Sequence, residues 1–206
     1  VSYALAIENK PAKVIVTDID DAKLARANEV ISVEEAKEKG VELIYVNTAK
    51  MDDPVNGLKA LSVDGKGFDD VFIFAPNEEM VTYGVKMLAF DGCLNFFSGP
   101  ADQEFSSRVN FYNIHYNSTH FVGTSGGNTE DMKQSIELIE SKTVNVAKIA
   151  THILGLDHAV ETTKALPELE GSKKIVYTHK KFPLTEVDKF DENSDDEYIR
   201  ELKSIV

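Results

Sequence analysis

The sequence predicts an α/β fold built on a doubly wound parallel sheet. Apolar, β-branched runs (VIVT, LIYVNT, VFIFA, LNFF, HFVG) alternate with stretches of helical periodicity through about residue 141, the mark of repeated β-α-β units. Several runs are almost continuously apolar, as strands are when helices cover both faces of their sheet. At 206 residues and 22.8 kDa, the chain is long enough for one such domain and an appendage.

The elements follow in order. Val1, Ala4, Leu5 and Ala6 lie at near-helical spacing, and Asn9 and Pro11 lead into a strand at Val14–Thr17, so a helix end precedes the first strand. DDAKLARANEV is helical, and a second short helix starts at Ser32, whose capping-box partner is Glu35; Gly40 stops it. LIYVNT (43–48) is the next strand, and the polar, glycine-dotted segment 50–70 is expected to wrap over the surface. FDDVFIFAPN gives a third strand, followed by a helix carrying Met80, Val81, Val85 and Leu88 with Gly92 as its stop. CLNFFSG (93–99) and HFVGTSGG supply two more strands, the latter ending in glycines before a helix with Met132, Ile136 and Ile139 at i, i+4 and i+7.

From Val144 the rhythm changes to a strand around KIATHIL, a helix from Leu156 to Leu166 and a strand KKIVYTH. The expected division is therefore residues 1–143 and an appendage, 144–206. The last 24 residues hold eight acids against three bases; Ser194 and Glu197 are expected to cap a short helix bearing Ile199, Leu202 and Ile205, in a solvated or dimer-docking tail.

Composition narrows the function. With 42% hydrophobic and 28% charged residues, disorder and coiled coil are excluded. A net charge of −13, from 35 acidic and 22 basic residues, disfavours nucleic acid and anionic lipid as partners. No run approaches the ~20 apolar residues of a membrane span, and VSYALAIENK lacks the features of an export signal. The single cysteine, Cys93, sits among apolar neighbours in DGCLNFF and reads as a strand cysteine; a reducing cytoplasm fits such a chain. His115, His120, His152, His158 and His179 show no repeated metal-ligand spacing, and each reads as a structural or surface histidine.

The strongest local signal is VIVTDIDDAKLA, a strand ending in Asp18 with Lys23 five positions on. A strand-end carboxylate can accept hydrogen bonds from both hydroxyls of an adenosine ribose. The same acid serves methyltransferases that bind the ribose of S-adenosylmethionine, and a plain helix cap is the third reading. Asp18, Phe74-Ala75-Pro76, Phe97-Ser98-Gly99 and Thr124-Ser125-Gly126 all fall at the carboxyl ends of strands, where ligands of open α/β sheets bind.

In that order and spacing, VIVTDIDDAKLARA, VFIFAPN, LNFFSGP, HFVGTSGG, ATHILGLD and KKIVYT resemble the medium-chain, zinc-type alcohol and polyol dehydrogenases from residue 1 to about 178. Among these, NSTHFVGTSGGNTEDM and the 50–70 segment are most similar to sorbitol dehydrogenase and sorbose-1-phosphate reductase types. The resemblance implies a Rossmann-type domain and NAD as cofactor. It makes Asp18 the ribose ligand and Lys23 its companion. Ala75 and Pro76 would border the nicotinamide ribose, while Phe97, Ser98, Gly123, Thr124 and Ser125 would face the carboxamide. Lys174 would reach the pyrophosphate; a solvated strand-end lysine is its other reading.

Two departures accompany the match. The G-x-G-x-x-G loop of the family does not occur in the chain, and the first strand of the domain is missing with it. The family's zinc ligands belong to an N-terminal domain that would precede Val1, so no metal ligand and no catalytic residue is assigned here. The implied activity is hydride transfer between NAD(H) and a secondary alcohol or ketone of a sugar or polyol, phosphorylated or not, in a homo-oligomer. The chain alone is expected to be inactive, with the C-terminal segment returning to the catalytic domain. A non-catalytic nucleotide-binding or interaction module is the alternative. In the doubly wound order the missing strand lies between those ending at Asp18 and Ala75. That slot is expected to be filled by the missing strand as a separate segment, or by another chain or a rearranged segment, or else closed by direct pairing of its two neighbours.

Overall fold

The computed structural model describes residues 1–187, and the chain divides into two compact units between Thr143 and Val144. The helix expected around Ser194–Ile205 lies outside the described residues.

In the first unit, α1 (Ser2–Ala6) places Leu5 in an apolar cluster with Ile31, Ala36, Val41 and Leu43. β1 (Lys13–Asp18) and β2 (Glu42–Asn47) pair in parallel, in unbroken register from Lys13 opposite Glu42 to Asp18 opposite Asn47. The connection is made by α2 (Asp21–Val30), capped by the Asp20 side chain, and α3 (Val33–Glu38), where Ser32 Oγ accepts the Glu35 N–H at 3.0 Å. Gly40, at φ +80°, follows the end of α3, in the left-handed region that only glycine enters without strain. Tyr45 ties β2 to α2, its hydroxyl proton shared between the carbonyls of Ala27 (3.1 Å) and Ile31 (2.8 Å). Burial, with the Glu35 charge nearby, pushes this phenol's pKa up.

Segment 50–70 is not the plain surface wrap expected of it. It contains α4 (Pro54–Leu61), which buries Leu58. The start signal is DDP: Asp53 accepts the Asn56 N–H at 3.0 Å and Pro54 fills the first turn, where its missing N–H costs nothing. Lys13 Nζ donates to the Leu61 carbonyl at 2.7 Å and lies 3.2 Å from Glu42, fastening the end of α4 to β1.

β3 (Phe68–Ile73), β4 (Leu88–Phe96) and β5 (His120–Gly123) form a second parallel sheet in that order. α5 (Glu78–Met87) covers one face, with Val81 and Val85 against Ile73, Leu88 and Leu94. The helix ends at Met87 rather than running on to Gly92. Leu88 instead pairs with Phe68 and joins the core, and the register then shifts around Asp91, at φ +61°, and Gly92. A Cβ at Gly92 would come within 2.8 Å of the Phe68 carbonyl, so this glycine serves a close strand approach and not a helix stop.

α6 (Phe111–Tyr116), absent from the sequence reading, is capped by Asn110. α7 (Thr129–Glu140) opens on a reciprocal capping box between Asn128 and Asp131. Its Met132, Ile136 and Ile139 face outward, at 64%, 54% and 42% exposure.

Among the described residues, β1 pairs only with β2, and β3 only with β4. The two strands expected to flank a missing one therefore do not close on each other. Five of the six residues of β1 are half-buried, and three of the six residues of β3 are exposed.

The second unit holds β6 (Ala150–Gly155) between β7 (Lys173–Tyr177), parallel, and β8 (Thr185–Glu186), antiparallel. The helix expected from Leu156 begins as a 3-10 turn and becomes α8 only at Ala159–Ala165. Ile153 and Phe182 form its core. No helix among the described residues is long and apolar enough to cross a membrane.

Candidate cofactor site

Five parallel strands of the first unit end on carboxyl edges that carry most of the sequence-selected residues. Asp18 closes β1. Its Oδ1 accepts the N–H groups of Ile19 (2.7 Å) and Asp20 (3.0 Å), which pins the carboxylate against the turn that starts α2. Lys23 is exposed on the first turns of α2.

A neighbouring network was missed in the sequence. Asn47, in register with Asp18, donates from Nδ2 to Asp21 Oδ1 at 2.8 Å, and Lys50 Nζ lies 2.8 Å from Oδ1 and 2.7 Å from Oδ2 of the same carboxylate. The hydrogen bonds from Lys50 and Asn47 lower the pKa of Asp21 from its ordinary value. The rule that selected Asp18, a polar residue closing an apolar strand, applies equally to Asn47 in LIYVNT and could have found it.

The second sheet presents a different edge. Ala75 and Pro76 are exposed just past β3, where the Ala75 carbonyl accepts the Asn77 N–H at 2.9 Å as the chain turns into α5. Phe97 continues β4 by donating its N–H to the Ile73 carbonyl at 3.0 Å. The rings of Phe74 and Phe97 meet edge to face at 6.2 Å, with Phe74 70% exposed. Beside them the Ser98 hydroxyl is buried without a hydrogen-bond partner among the described residues. Gly123 closes β5 opposite Phe96, and a Cβ there would approach the Phe96 carbonyl to 3.3 Å. Thr124 Oγ1 donates to the Gly126 carbonyl at 2.9 Å, holding the exposed Thr124-Ser125 turn.

Lys174 lies in the second unit, on β7, where its ammonium donates to the carbonyls of Glu170 (2.8 Å) and Ser172 (3.0 Å). Of the histidines, His120 Nε2 is 2.9 Å from Asp91 Oδ1, and His152 is buried with Nδ1 3.0 Å from Thr151 Oγ1. Cys93 is half-buried in β4. Among the described residues no group of three or more His, Cys, Asp or Glu side chains could hold a metal ion.

A dinucleotide of the nicotinamide type does fit these edges. A half-buried carboxylate closes one strand, exposed aromatic rings and backbone border another, and the Ser98 hydroxyl is buried without a partner among the described residues.

A profile of the zinc-binding dehydrogenases matches residues 1–141, and the chain belongs to that family. It is 44% identical over 207 aligned residues to mannitol-1-phosphate 5-dehydrogenase of Aliivibrio fischeri, covering all of this chain and 49% of that protein. It is 47% identical over 185 residues to L-sorbose 1-phosphate reductase of Klebsiella pneumoniae, covering 90% of this chain and 43% of that protein. The chain thus spans about half the length of the curated relatives it matches. Among solved structures it resembles 2R,3R-butanediol dehydrogenase of Bacillus subtilis (TM-score 0.64, 16% identity, 82% of this chain and 45% of the other). The alcohol dehydrogenase of Aeropyrum pernix gives a TM-score of 0.60 at 20% identity, over 85% and 46%. At such identities the likeness is one of fold, and that fold is the Rossmann-type α/β fold the alternating elements predict.

Proposed function

We propose that this chain is the NAD-binding part of a dehydrogenase that moves a hydride between NAD(H) and a secondary alcohol or ketone of a sugar or polyol. The names of the two sugar-phosphate relatives favour a phosphorylated substrate. The observation that carries the reading is the row of carboxyl strand ends with Asp18 at one end and the unpartnered Ser98 hydroxyl at the other, the place where open parallel sheets bind nucleotides.

In this reading Asp18 accepts the ribose hydroxyls of the adenosine half, and Lys23 lies beside the same sugar. Ala75 and Pro76 border the second ribose. The rings of Phe74 and Phe97 shield the nicotinamide face from water, and Ser98 with the backbone of Gly123, Thr124 and Ser125 holds the carboxamide, so that one face of the ring is presented. The bound cofactor supplies the hydride donor or acceptor. Lys174, which the resemblance assigns to the pyrophosphate, donates to two carbonyls of its own unit. Zinc and its ligands belong to the part of the relatives that this chain does not span, and residues 144–206 return to that part. The intact protein is a cytoplasmic homo-oligomer without nucleic-acid or membrane partners.

NAD is preferred over NADP, because a 2′-phosphate beside Asp18 meets a carboxylate and, at the next positions, only Ile19 and Asp20. Calorimetric titration of the 206-residue chain with each dinucleotide tests this: NAD binds more tightly, Asp18→Ala narrows the ratio by about tenfold, and no polyol is turned over with added zinc. Equal affinities for the two dinucleotides, or zinc-dependent turnover by the chain alone, would sink the reading.

A further inference from the structure

We propose that Asp21 is a second specificity-determining residue at the adenosine end, holding the Lys50 ammonium away from the 2′-position of a ribose bound at Asp18. The inference deepens the cofactor reading above and rests on its placement of the ribose.

β1 and β2 end side by side, Asp18 opposite Asn47, and neighbouring strands are about 4.8 Å apart. A lysine three residues beyond Asn47 therefore has the reach to meet a group held at Asp18. Three cationic side chains stand on this edge. Arg26 is paired with Glu29 at 3.1 Å, Lys23 has no ion pair among the described residues, and Lys50 is gripped by both oxygens of Asp21 while Asn47 steadies that carboxylate from the side.

The ion pair is exposed, at 66% and 62% for the two side chains, and such pairs contribute little to stability. Its effect is positional: it compensates one of the two positive charges that a 2′-phosphate could recruit, and it sets a second carboxylate beside the first. A 2′-hydroxyl needs only an acceptor, which Asp18 is. A 2′-phosphate gains from each free cation it meets, and Asp21 has taken one of the two, leaving Lys23 alone. Sequence inspection places the selectivity in Asp18 alone, whereas the structure divides it between an acceptor that favours the hydroxyl and a carboxylate that disarms the nearest lysine.

The test uses the full 206-residue chain and two probes of the adenosine half, adenosine 5′-monophosphate and adenosine 2′,5′-bisphosphate, with dissociation constants from nuclear magnetic resonance titration at low and high salt. D21N is expected to move the affinity ratio about fivefold toward the bisphosphate, D21N/K50Q to return it to the wild-type value, and ~1 M salt to erase the gain. An unmoved ratio in D21N, or a shift that persists in D21N/K50Q, overturns the proposal. If D18A weakens adenosine 5′-monophosphate while the D21N ratio stays put, this proposal alone fails. If neither probe binds, or D18A changes nothing, the cofactor reading at Asp18 fails with it.

Discussion

At the scale of single residues, the chemistry at the strand ends depends on side chains buried well behind them. Leu94 is 2% exposed in the middle of β4, packed with Ile73, Val81, Val85 and Leu88, and its neighbours on the same strand lead to Phe97 and Ser98. Leu94→Ala is expected to lower stability by about 2–5 kcal/mol, since α5 and β3 can collapse only partly into the space. That is a large part of the ~5–15 kcal/mol that holds an ordinary domain together. Urea unfolding followed by circular dichroism measures it, and a loss below about 1 kcal/mol would mean that this cluster is not a packed core. Asp18 was legible because a carboxylate ending an apolar strand is rare and visible. Asn47 could have been found by the same rule; Asp21 and Lys50 could not, because their meaning lies in a three-way contact across two β-α junctions that spacing along the chain does not display.

At the scale of elements, the strands were legible, as were α1 and the capped α3, whereas the short helices α4 and α6 were not. VIVT, LIYVN and LNFF announce themselves through continuous apolar character, which depends only on local sequence. α4 and α6 are eight and six residues long, too short for helical periodicity to rise above noise, and only their caps give them away. The boundary between α5 and β4 was misplaced because Gly92 has the look of a helix stop, whereas its role is set by the Phe68 carbonyl on another strand. The cap of α4 offers a test. Asp53 has its pKa lowered, first by the Asn56 backbone N–H and then by the Asn56 side chain. A carboxylate with a depressed folded pKa contributes stability that is present above the ordinary value of 3.8 and is lost as pH falls through the lower folded value. Asp53→Ala is therefore expected to lower the melting temperature by a few degrees at pH 7, with the gap to wild type closing as the solution is acidified below pH 4. A gap of constant size across that range would remove the cap from the account.

At the scale of the whole molecule, the alternation of strand and helix was enough to reveal the Rossmann-type fold, because β-α-β order restricts the topologies a chain can adopt. The doubly wound order located the slot between β1 and β3, but not whether its two neighbours would pair across it, which is a non-local property. The outward-facing stripe of Met132, Ile136 and Ile139 was equally hidden, since periodicity marks an apolar face without saying whether anything packs on it.

The division into β1–β2 and β3–β4–β5, each with its own apolar cluster, has a consequence for how the protein breathes. Hydrogen-bonded ladders that share no strand need not open together, and segments with separate cores behave as separate foldons. In native-state hydrogen exchange, the amides of Leu43–Tyr45 and those of Leu94–Phe96 are expected to follow two different opening free energies, the latter higher because its ladder has a central strand paired on both sides. Mass-resolved exchange with increasing urea would separate the two, and a single common isotherm would show that the two ladders unfold as one. The half that carries Asp18 would then sample open forms while the half that carries Ser98 stays closed, so the two ends of a bound dinucleotide would be gripped by regions of unequal lifetime.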